Sequence, residues 1–165
     1  MKACGFKRIL VQDSTIIKLP EKLFVLFSGV RNAYKQVCNA RIQGIYDLIS
    51  GHFIKFSIDP YYKNDLSVSN DIEIEPGDLW LRDRGYFNIN SMNRIEKQDG
   101  NYIMRYKCKT KIFDPDTGEV LNLLNELNKN KSLDQKVFLG NEKLPVRIIA
   151  VAVNEETANL RRMKA

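Results

Sequence analysis

The sequence is poor in the residues from which many enzymes build nucleophilic or zinc sites. Its 165 residues include one histidine and three cysteines. Cys4, Cys38 and Cys108 are widely separated, which matches neither a zinc motif nor a disulfide framework, so we expect reduced thiols in a cytoplasmic protein. His52 has no suggested serine or cysteine partner, which favours a structural role.

Long apolar runs are also missing. No stretch reaches the length of a membrane-spanning helix, and residues 1–12 lack the apolar region of a signal peptide. Hydrophobic residues still make up 44% of the chain, which is enough for the core of one domain with a small insertion. The 26 Lys and Arg against 20 Asp and Glu give a net charge of +6, which is compatible with nucleic acid without being diagnostic.

The residue pattern of the first two thirds of the chain predicts an α/β fold with a mixed sheet. A strand is predicted at 7–13, followed by a hairpin of 37–49 and 52–59 that turns at Ser50-Gly51. A βαβ unit is predicted next, made of a strand at 79–83, a helix at 88–98 and a strand from Tyr102. A right-handed crossover would make its two strands parallel. A hairpin followed by a βαβ unit is typical of an RNase H-like sheet.

The character changes after residue 108. The segment 114–118 reads as a turn, 120–127 has helical spacing, and 136–140 and 145–153 read as strands. We therefore predict a partial RNase H-like core at 1–108, a β-rich insertion at 109–154 and the start of a returning helix at 155–165.

Two aspartates are the strongest candidates for chemistry. Asp13 and Asp83 each follow an apolar run that reads as a buried strand, where a carboxylate is costly unless it is paired or bound to metal. At the ends of neighbouring strands they would hold Mg²⁺, and a divalent ion held by carboxylates is a common means of attacking a phosphodiester. The alternative is that each caps a helix or turn.

The other acidic residues have simpler interpretations. We expect turn or surface positions for Asp47, Asp59, Asp65, Asp71 and Asp78. Asp114 and Asp116 resemble the start of a calcium loop, but Asn125 stands where the bidentate acid is needed, so this segment is predicted to be a turn.

A row of basic residues is predicted on the strand that starts at Tyr102. If the strand runs to residue 111, Arg105, Lys107, Lys109 and Lys111 share one face at about 6.6 Å spacing, which suits a phosphate backbone. The alternative is a solvated edge strand that its lysines protect from aggregation.

Three phrases of the sequence resemble the DDE transposases of bacterial insertion sequences. They are Val11-Gln12-Asp13-Ser14-Thr15, Gly77-Asp78-Leu79-Trp80-Leu81-Arg82-Asp83-Arg84-Gly85-Tyr86-Phe87 and Tyr102-Ile103-Met104-Arg105-Tyr106-Lys107. The Asp-Arg-Gly-Tyr phrase after an apolar strand is the most specific of these. A weaker likeness continues through 146–151 to Arg161-Arg162.

The resemblance implies a catalytic site as well as a fold. Asp13 and Asp83 match the family's first two metal-binding acids, and the implied chemistry is metal-dependent cleavage and strand transfer with Mg²⁺, or Mn²⁺ as its substitute. Arg84, Tyr86, Arg105 and Lys107, with Lys109 and Lys111 of the basic row, are the implied DNA contacts. The implied partner is double-stranded transposon-end and target DNA in a bacterial cytoplasm, at the nucleoid, with a homodimer or a mixed assembly as possible forms.

The family's third acid is missing from this sequence. It is a glutamate in a Tyr-x-x-Arg-x-x-x-Glu phrase on a helix after the insertion. We therefore expect a catalytic-domain fragment, truncated at both ends and lacking the final catalytic helix, that binds metal weakly, is inactive in strand transfer and leaves an apolar sheet face uncovered. Whether the chain is an enzyme stays open; the alternatives are a non-catalytic DNA-binding or dominant-negative fragment and a non-functional gene remnant.

Overall fold

A computed structural model of the chain describes residues 5–28, 37–62 and 72–163. The chain divides into two compact units, residues 1–107 and 108–165. The assignment of these parts to a catalytic core, an insertion and a returning helix stays a prediction. Asp65, Asp71 and Cys4 lie outside the described residues, while Cys38 and Cys108 are free thiols.

The first unit is built on a five-stranded sheet with one helix. Its elements are β1 (Arg8–Lys18), β2 (Asn39–Asp47), β3 (His52–Pro60), β4 (Asp78–Arg82), α1 (Ile89–Lys97) and β5 (Asn101–Met104). Short 3-10 turns lie at Glu21–Leu23 and Arg84–Tyr86. The strand order is β3-β2-β1-β4-β5.

The pairing directions make this a mixed sheet. β2 is antiparallel to both of its neighbours, β1 and β3. A turn at residues 48–51 joins β2 to β3. β4 is parallel to both β1 and β5. It is parallel to β5 because the crossover through α1 brings the chain back to the same end of the sheet. The predicted α/β fold with an RNase H-like mixed sheet is confirmed.

The core lies on the sheet face that α1 covers. Leu10, Ile45 and Trp80 point to this face from three adjacent strands and pack with Ile95 of α1. Asn88 caps α1, since its side-chain oxygen accepts a hydrogen bond from Ser91 N at 3.0 Å. Burial of these large side chains fixes which face of each strand is covered.

Two aspartates predicted at turns or on the surface are buried instead. Asp78 is 0% exposed and accepts hydrogen bonds from Arg8 Nε at 2.8 Å and Arg8 Nη2 at 2.5 Å. Asp47 is 3% exposed and accepts hydrogen bonds from three backbone N–H groups, those of Ile9, Ile49 and Ser50. Both carboxylates are fully paired by hydrogen bonds, so the surface alternative is wrong for both, while Asp47 does bond to the turn that follows β2.

The opposite face of this sheet is open in the described residues and partly apolar. Phe53 is 61% exposed, Phe56 55% and Ile58 52%, and Ile103 of β5 is also exposed. The alternation predicted for β3 is therefore present, but its apolar side faces outward in the part of the chain that the structure describes.

The second unit has a three-stranded antiparallel sheet and two helices. Its elements are β6 (Ile112–Phe113), α2 (Leu123–Asn130), β7 (Ser132–Leu139), β8 (Leu144–Val151) and α3 (Glu155–Met163), with strand order β6-β7-β8. The turn at 114–118 is confirmed, since Asp114 Oδ1 accepts hydrogen bonds from the N–H groups of Asp116 and Thr117. No helix among the described residues is long and apolar enough to cross a membrane.

The predicted basic strand over 102–111 is wrong. β5 ends at Met104, and residues 105–111 form loop and turn. Lys109 has a φ of 72°, a left-handed conformation that interrupts any extended chain. The even spacing of Arg105, Lys107, Lys109 and Lys111 on one strand face does not occur.

Candidate active site

Asp13 and Asp83 lie where the parallel pairing of β1 with β4 ends; Asp83 directly follows β4, whereas β1 continues beyond Asp13 to Lys18. The register pairs Val11 with Leu81 and Gln12 with Arg82, so the next residue of each strand is an aspartate. Because side chains alternate along a strand, the two carboxylates project on the open face, away from α1. The structure thus places the two predicted acids on neighbouring strands, but only Asp83 is at the end of its strand, since Asp13 lies within β1.

Both carboxylates retain capacity for a ligand. Asp13 is exposed, and its Oδ1 accepts the neighbouring Ser14 N–H at 2.8 Å. Asp83 stands before the 3-10 turn Arg84–Tyr86 but makes no side-chain cap hydrogen bond, which disfavours the cap interpretation. Its side chain is 63% exposed and its Oδ1 lies 3.8 Å from Arg105 Nη1, a solvated contact that a competing cation can displace.

A groove of about 540 Å³ contains the acid pair. Three consecutive residues from each of three strand ends line it: Val11, Gln12 and Asp13 from β1, Leu81, Arg82 and Asp83 at β4, and Ile103, Met104 and Arg105 at β5. The groove therefore follows the end of the parallel part of the sheet, where α/β sheets commonly bind ligands.

On the covered face, each acid is preceded by a buried polar residue. Gln12 is 2% exposed and Arg82 is 7% exposed. Arg82 Nη1 donates to Ser91 Oγ of α1 at 2.6 Å, and its guanidinium lies 4.4 Å from the centre of the Trp80 ring. Burial, together with the positive charge of Arg94, lowers the pKa of Arg82 to about 10, so the group stays charged at neutral pH.

The predicted DNA-binding residues differ in exposure. Arg84, Arg105 and Lys107 are exposed in the first unit, and Lys109 and Lys111 are exposed in the second. Tyr86 is only 4% exposed, and its hydroxyl oxygen is buried. The structure does not support Tyr86 as a DNA contact, because the aromatic ring belongs to the core.

Sequence reasoning missed an aromatic group beside Asp13. Asp13 is paired in register with Gly44, and the Tyr46, Phe53 and Phe56 rings pack edge to face near this glycine. A Cβ at Gly44 would lie 3.0 Å from Phe53 Cε1, so the absence of a side chain at Gly44 leaves room for the Phe53 ring. The alternation of β3 signalled an apolar face, but only the register shows that this face adjoins the acid.

The residues present fit a metal that substrate oxygens and water also coordinate. Mg²⁺ is commonly bound through one or two carboxylates, with water and substrate phosphates filling the other positions. Within the described ranges, no cluster of three or more His, Cys, Asp or Glu side chains is arranged to hold an ion.

His52 is exposed at the start of β3.

The mixed sheet, with two acids side by side on its central parallel strands, places the first unit in the class of RNase H-like domains. Comparison with known families makes this more specific. A family model described as a transposase DDE domain matches residues 5–151, so the chain belongs to that family.

Relatives from two bacterial species agree with this assignment. The chain is 26% identical to the transposase for insertion sequence element IS231B of Bacillus thuringiensis subsp. berliner, over 96% of this chain and 38% of that protein. It is 31% identical to the transposase for IS231E of subsp. finitimus, over 66% of this chain and 23% of that protein. The transposase for IS1151 of Clostridium perfringens is 22% identical, over 94% and 37%. The chain thus spans less than two fifths of the length of these relatives.

Proposed function

We propose that this chain carries part of the catalytic domain of a transposase, and that Asp13 and Asp83 are its metal-binding acids. The observation that carries the proposal is their placement side by side where the pairing of β1 with β4 ends, with both acids exposed and lining one groove. Asp83 makes no side-chain cap hydrogen bond. Family membership supports the same assignment.

The two carboxylates would hold Mg²⁺, or Mn²⁺ in its place. When bound, such an ion activates a water or hydroxyl nucleophile and stabilises the leaving oxygen in phosphoryl transfer. The protein's own part is to present two anionic ligands in a groove open to a phosphodiester. Since two acids provide few protein ligands, we expect weak metal binding by the chain alone.

The substrate in this proposal is double-stranded DNA at transposon ends. Three exposed cations could contact this DNA. Arg84 directly follows Asp83, and Arg105 and Lys107 follow the end of β5, where Arg105 lines the groove. Arg105 lies 3.8 Å from Asp83, so a phosphate that replaces this contact would be held next to a metal on the acids. Lys109 and Lys111 are further candidates in the second unit.

Mn²⁺ binding to the isolated chain tests the acids directly. Electron paramagnetic resonance measures free Mn²⁺, and we expect at least tenfold weaker binding in Asp13→Asn and in Asp83→Asn. Asp116→Asn is the control, because it removes an acid from the exposed turn of the second unit. Equal Mn²⁺ affinity in the wild type and Asp13→Asn would show that the acids are not the metal site.

A second candidate function is DNA binding without cleavage, including interference with an intact transposase through mixed assembly. The exposed cations favour it, as does the lack of a third acid near the pair among the described residues. Under this alternative, Asp13→Asn binds DNA as well as the wild type, and neither protein nicks it with Mg²⁺ or Mn²⁺. The logarithm of the binding constant should fall with log salt at a slope of about −0.9 per neutralised phosphate.

A further inference from the structure

We propose that Gln12 and Arg82 are positioning residues, which orient Asp13 and Asp83 from the opposite face of the sheet. The inference rests on the proposed metal-binding function and adds two residues to it. Neither side chain touches the metal in this proposal; both act through the backbone that they share with the neighbouring acid.

The register makes the two residues a pair. Gln12 and Arg82 are direct partners in the parallel ladder of β1 and β4, one residue before the two acids. Alternation therefore places Gln12 and Arg82 together on the covered face and the carboxylates together on the open face. Anything that fixes this pair also fixes the direction in which the acids project.

Arg82 has the contacts of an anchor. Its hydrogen bond to Ser91 ties the end of β4 to the first turn of α1, and Ser91 is itself held by the cap residue Asn88. The guanidinium is stacked on Trp80, which is 0% exposed. The backbone before Asp83 is thus held by a helix and by the core.

Gln12 supplies the complementary group on the adjacent strand. Within the described residues, both polar atoms of the Gln12 amide and Nε of Arg82 are buried without a hydrogen-bond partner. The Gln12 oxygen is an acceptor and Arg82 Nε is a donor, and their strands are direct neighbours. A hydrogen bond between them, direct or through one bridging water, would couple β1 to the end of β4.

Stability alone does not account for these residues. No carboxylate of the described residues pairs with Arg82. Replacing buried ionic groups with apolar side chains of similar volume is often neutral or stabilising, and buried polar groups can instead specify one geometry. A leucine at position 12 and a methionine at position 82 would fit the same core, so we assign the polar side chains to orientation of the acids.

The chain offers a closely matched control for the test. Gln43 is also 2% exposed, lies on the same covered face, and has an amide without a partner in the described residues. Its neighbour Gly44 carries no carboxylate. We compare Gln12→Leu, Arg82→Met and Gln43→Leu by Mn²⁺ affinity and by urea denaturation of the whole chain.

The expected result separates orientation from stability. Gln12→Leu and Arg82→Met should weaken Mn²⁺ binding about tenfold or more, the range for residues that orient metal ligands, while their urea midpoints stay equal or rise. Gln43→Leu should leave Mn²⁺ affinity unchanged. If Arg82→Met does not fold, Ser91→Ala decides the question, because it removes only the anchoring hydroxyl and should weaken binding severalfold.

Three results would overturn the inference, each in a different way. In the first, Mn²⁺ binding depends on Asp13 and Asp83 but is unchanged in Gln12→Leu and in Arg82→Met, or in Ser91→Ala where Arg82→Met does not fold. The positioning role is then wrong, and the proposed function stands. If binding in the wild type does not depend on the two acids, both proposals fail together. Equal weakening in Gln43→Leu would show a general effect of core polarity and would also overturn the inference.

Discussion

Removing Arg8 should destabilise the first unit more than removing any exposed cation near it. Arg8 and Asp78 are register partners at the start of β1 and β4, and Asp78 is fully buried. Two nitrogens of Arg8 donate to the two oxygens of Asp78. In Arg8→Met the only hydrogen bond that the Asp78 carboxylate keeps from the described residues is that of the Glu75 N–H, 2.8 Å away.

The structure sets the expected magnitudes. Leaving a buried charge without its partner costs about 3–5 kcal/mol, which is the expected loss for Arg8→Met. Asp78→Asn should cost less, about 1–3 kcal/mol, because Arg8 Nη1 keeps Glu75 Oε1 at 2.7 Å. The double variant Arg8→Met with Asp78→Leu should lose less than the sum of the single variants, since no buried charge remains.

Urea denaturation at neutral pH, followed by circular dichroism, measures these differences. Lys7→Met is the control, because Lys7 also contacts Glu75 but is 61% exposed, and such surface pairs contribute about 0–1 kcal/mol. The reasoning is refuted if Arg8→Met costs no more than Lys7→Met.

Two further predictions concern acid sensitivity and packing. Burial opposes ionisation of Asp47, but its backbone hydrogen bonds outweigh burial and lower its pKa, so its contribution is full above the unfolded-state pKa of about 4 and is lost as pH falls further. Asp47→Asn should cost about 1–3 kcal/mol at pH 7 and flatten the loss of stability between pH 4 and 2, as measured by urea titrations across pH; an unchanged acid slope would contradict this. Gly100→Ala should cost about 1–3 kcal/mol in the same assay, because its Cβ would lie 2.8 Å from Ile95 Cγ2 and 3.0 Å from Ile74 Cγ2, whereas Gly85→Ala meets no described atom within 4 Å and should be near neutral.

Local patterns predicted the order and type of the strands well. The hairpin around Ser50-Gly51 and the βαβ unit from 78 to 104 are both present, because alternation and helical spacing reflect burial of single faces. β1 was predicted to end near Asp13 but continues to Lys18, since β2 pairs with it as far as Asn39. The end of a strand is thus set by its partner.

The same reason explains the wrong basic strand. The alternation of cations continues to Lys111, but β4 ends at Arg82 and the chain then enters a 3-10 turn. In the part of the chain that the structure describes, the pairing of β4 with β5 ends at Arg82 and Met104 and is followed by one hydrogen bond, from the Arg105 N–H to the Arg82 carbonyl at 3.4 Å. An alternating pattern without a neighbouring strand does not define a strand.

Buried acids were the hardest feature to predict. Asp78 is neutralised by Arg8, which lies 70 residues earlier in the chain, so no local pattern reveals the pair. Asp13 and Asp83 were identified because apolar runs precede them. The buried register partners Gln12 and Arg82 beside them were not, because the sequence shows neither which face of the sheet is covered nor the register.

The position of β1 has a consequence for the order in which the protein forms. β1 precedes the other described strands of this sheet in the chain, yet it lies at the centre of the sheet. One of its edges can pair with β2 early, but the other waits until residues 78–82 emerge from the ribosome. Closing so long a loop is slow compared with forming a hairpin, so the acids come together only in a late step of folding.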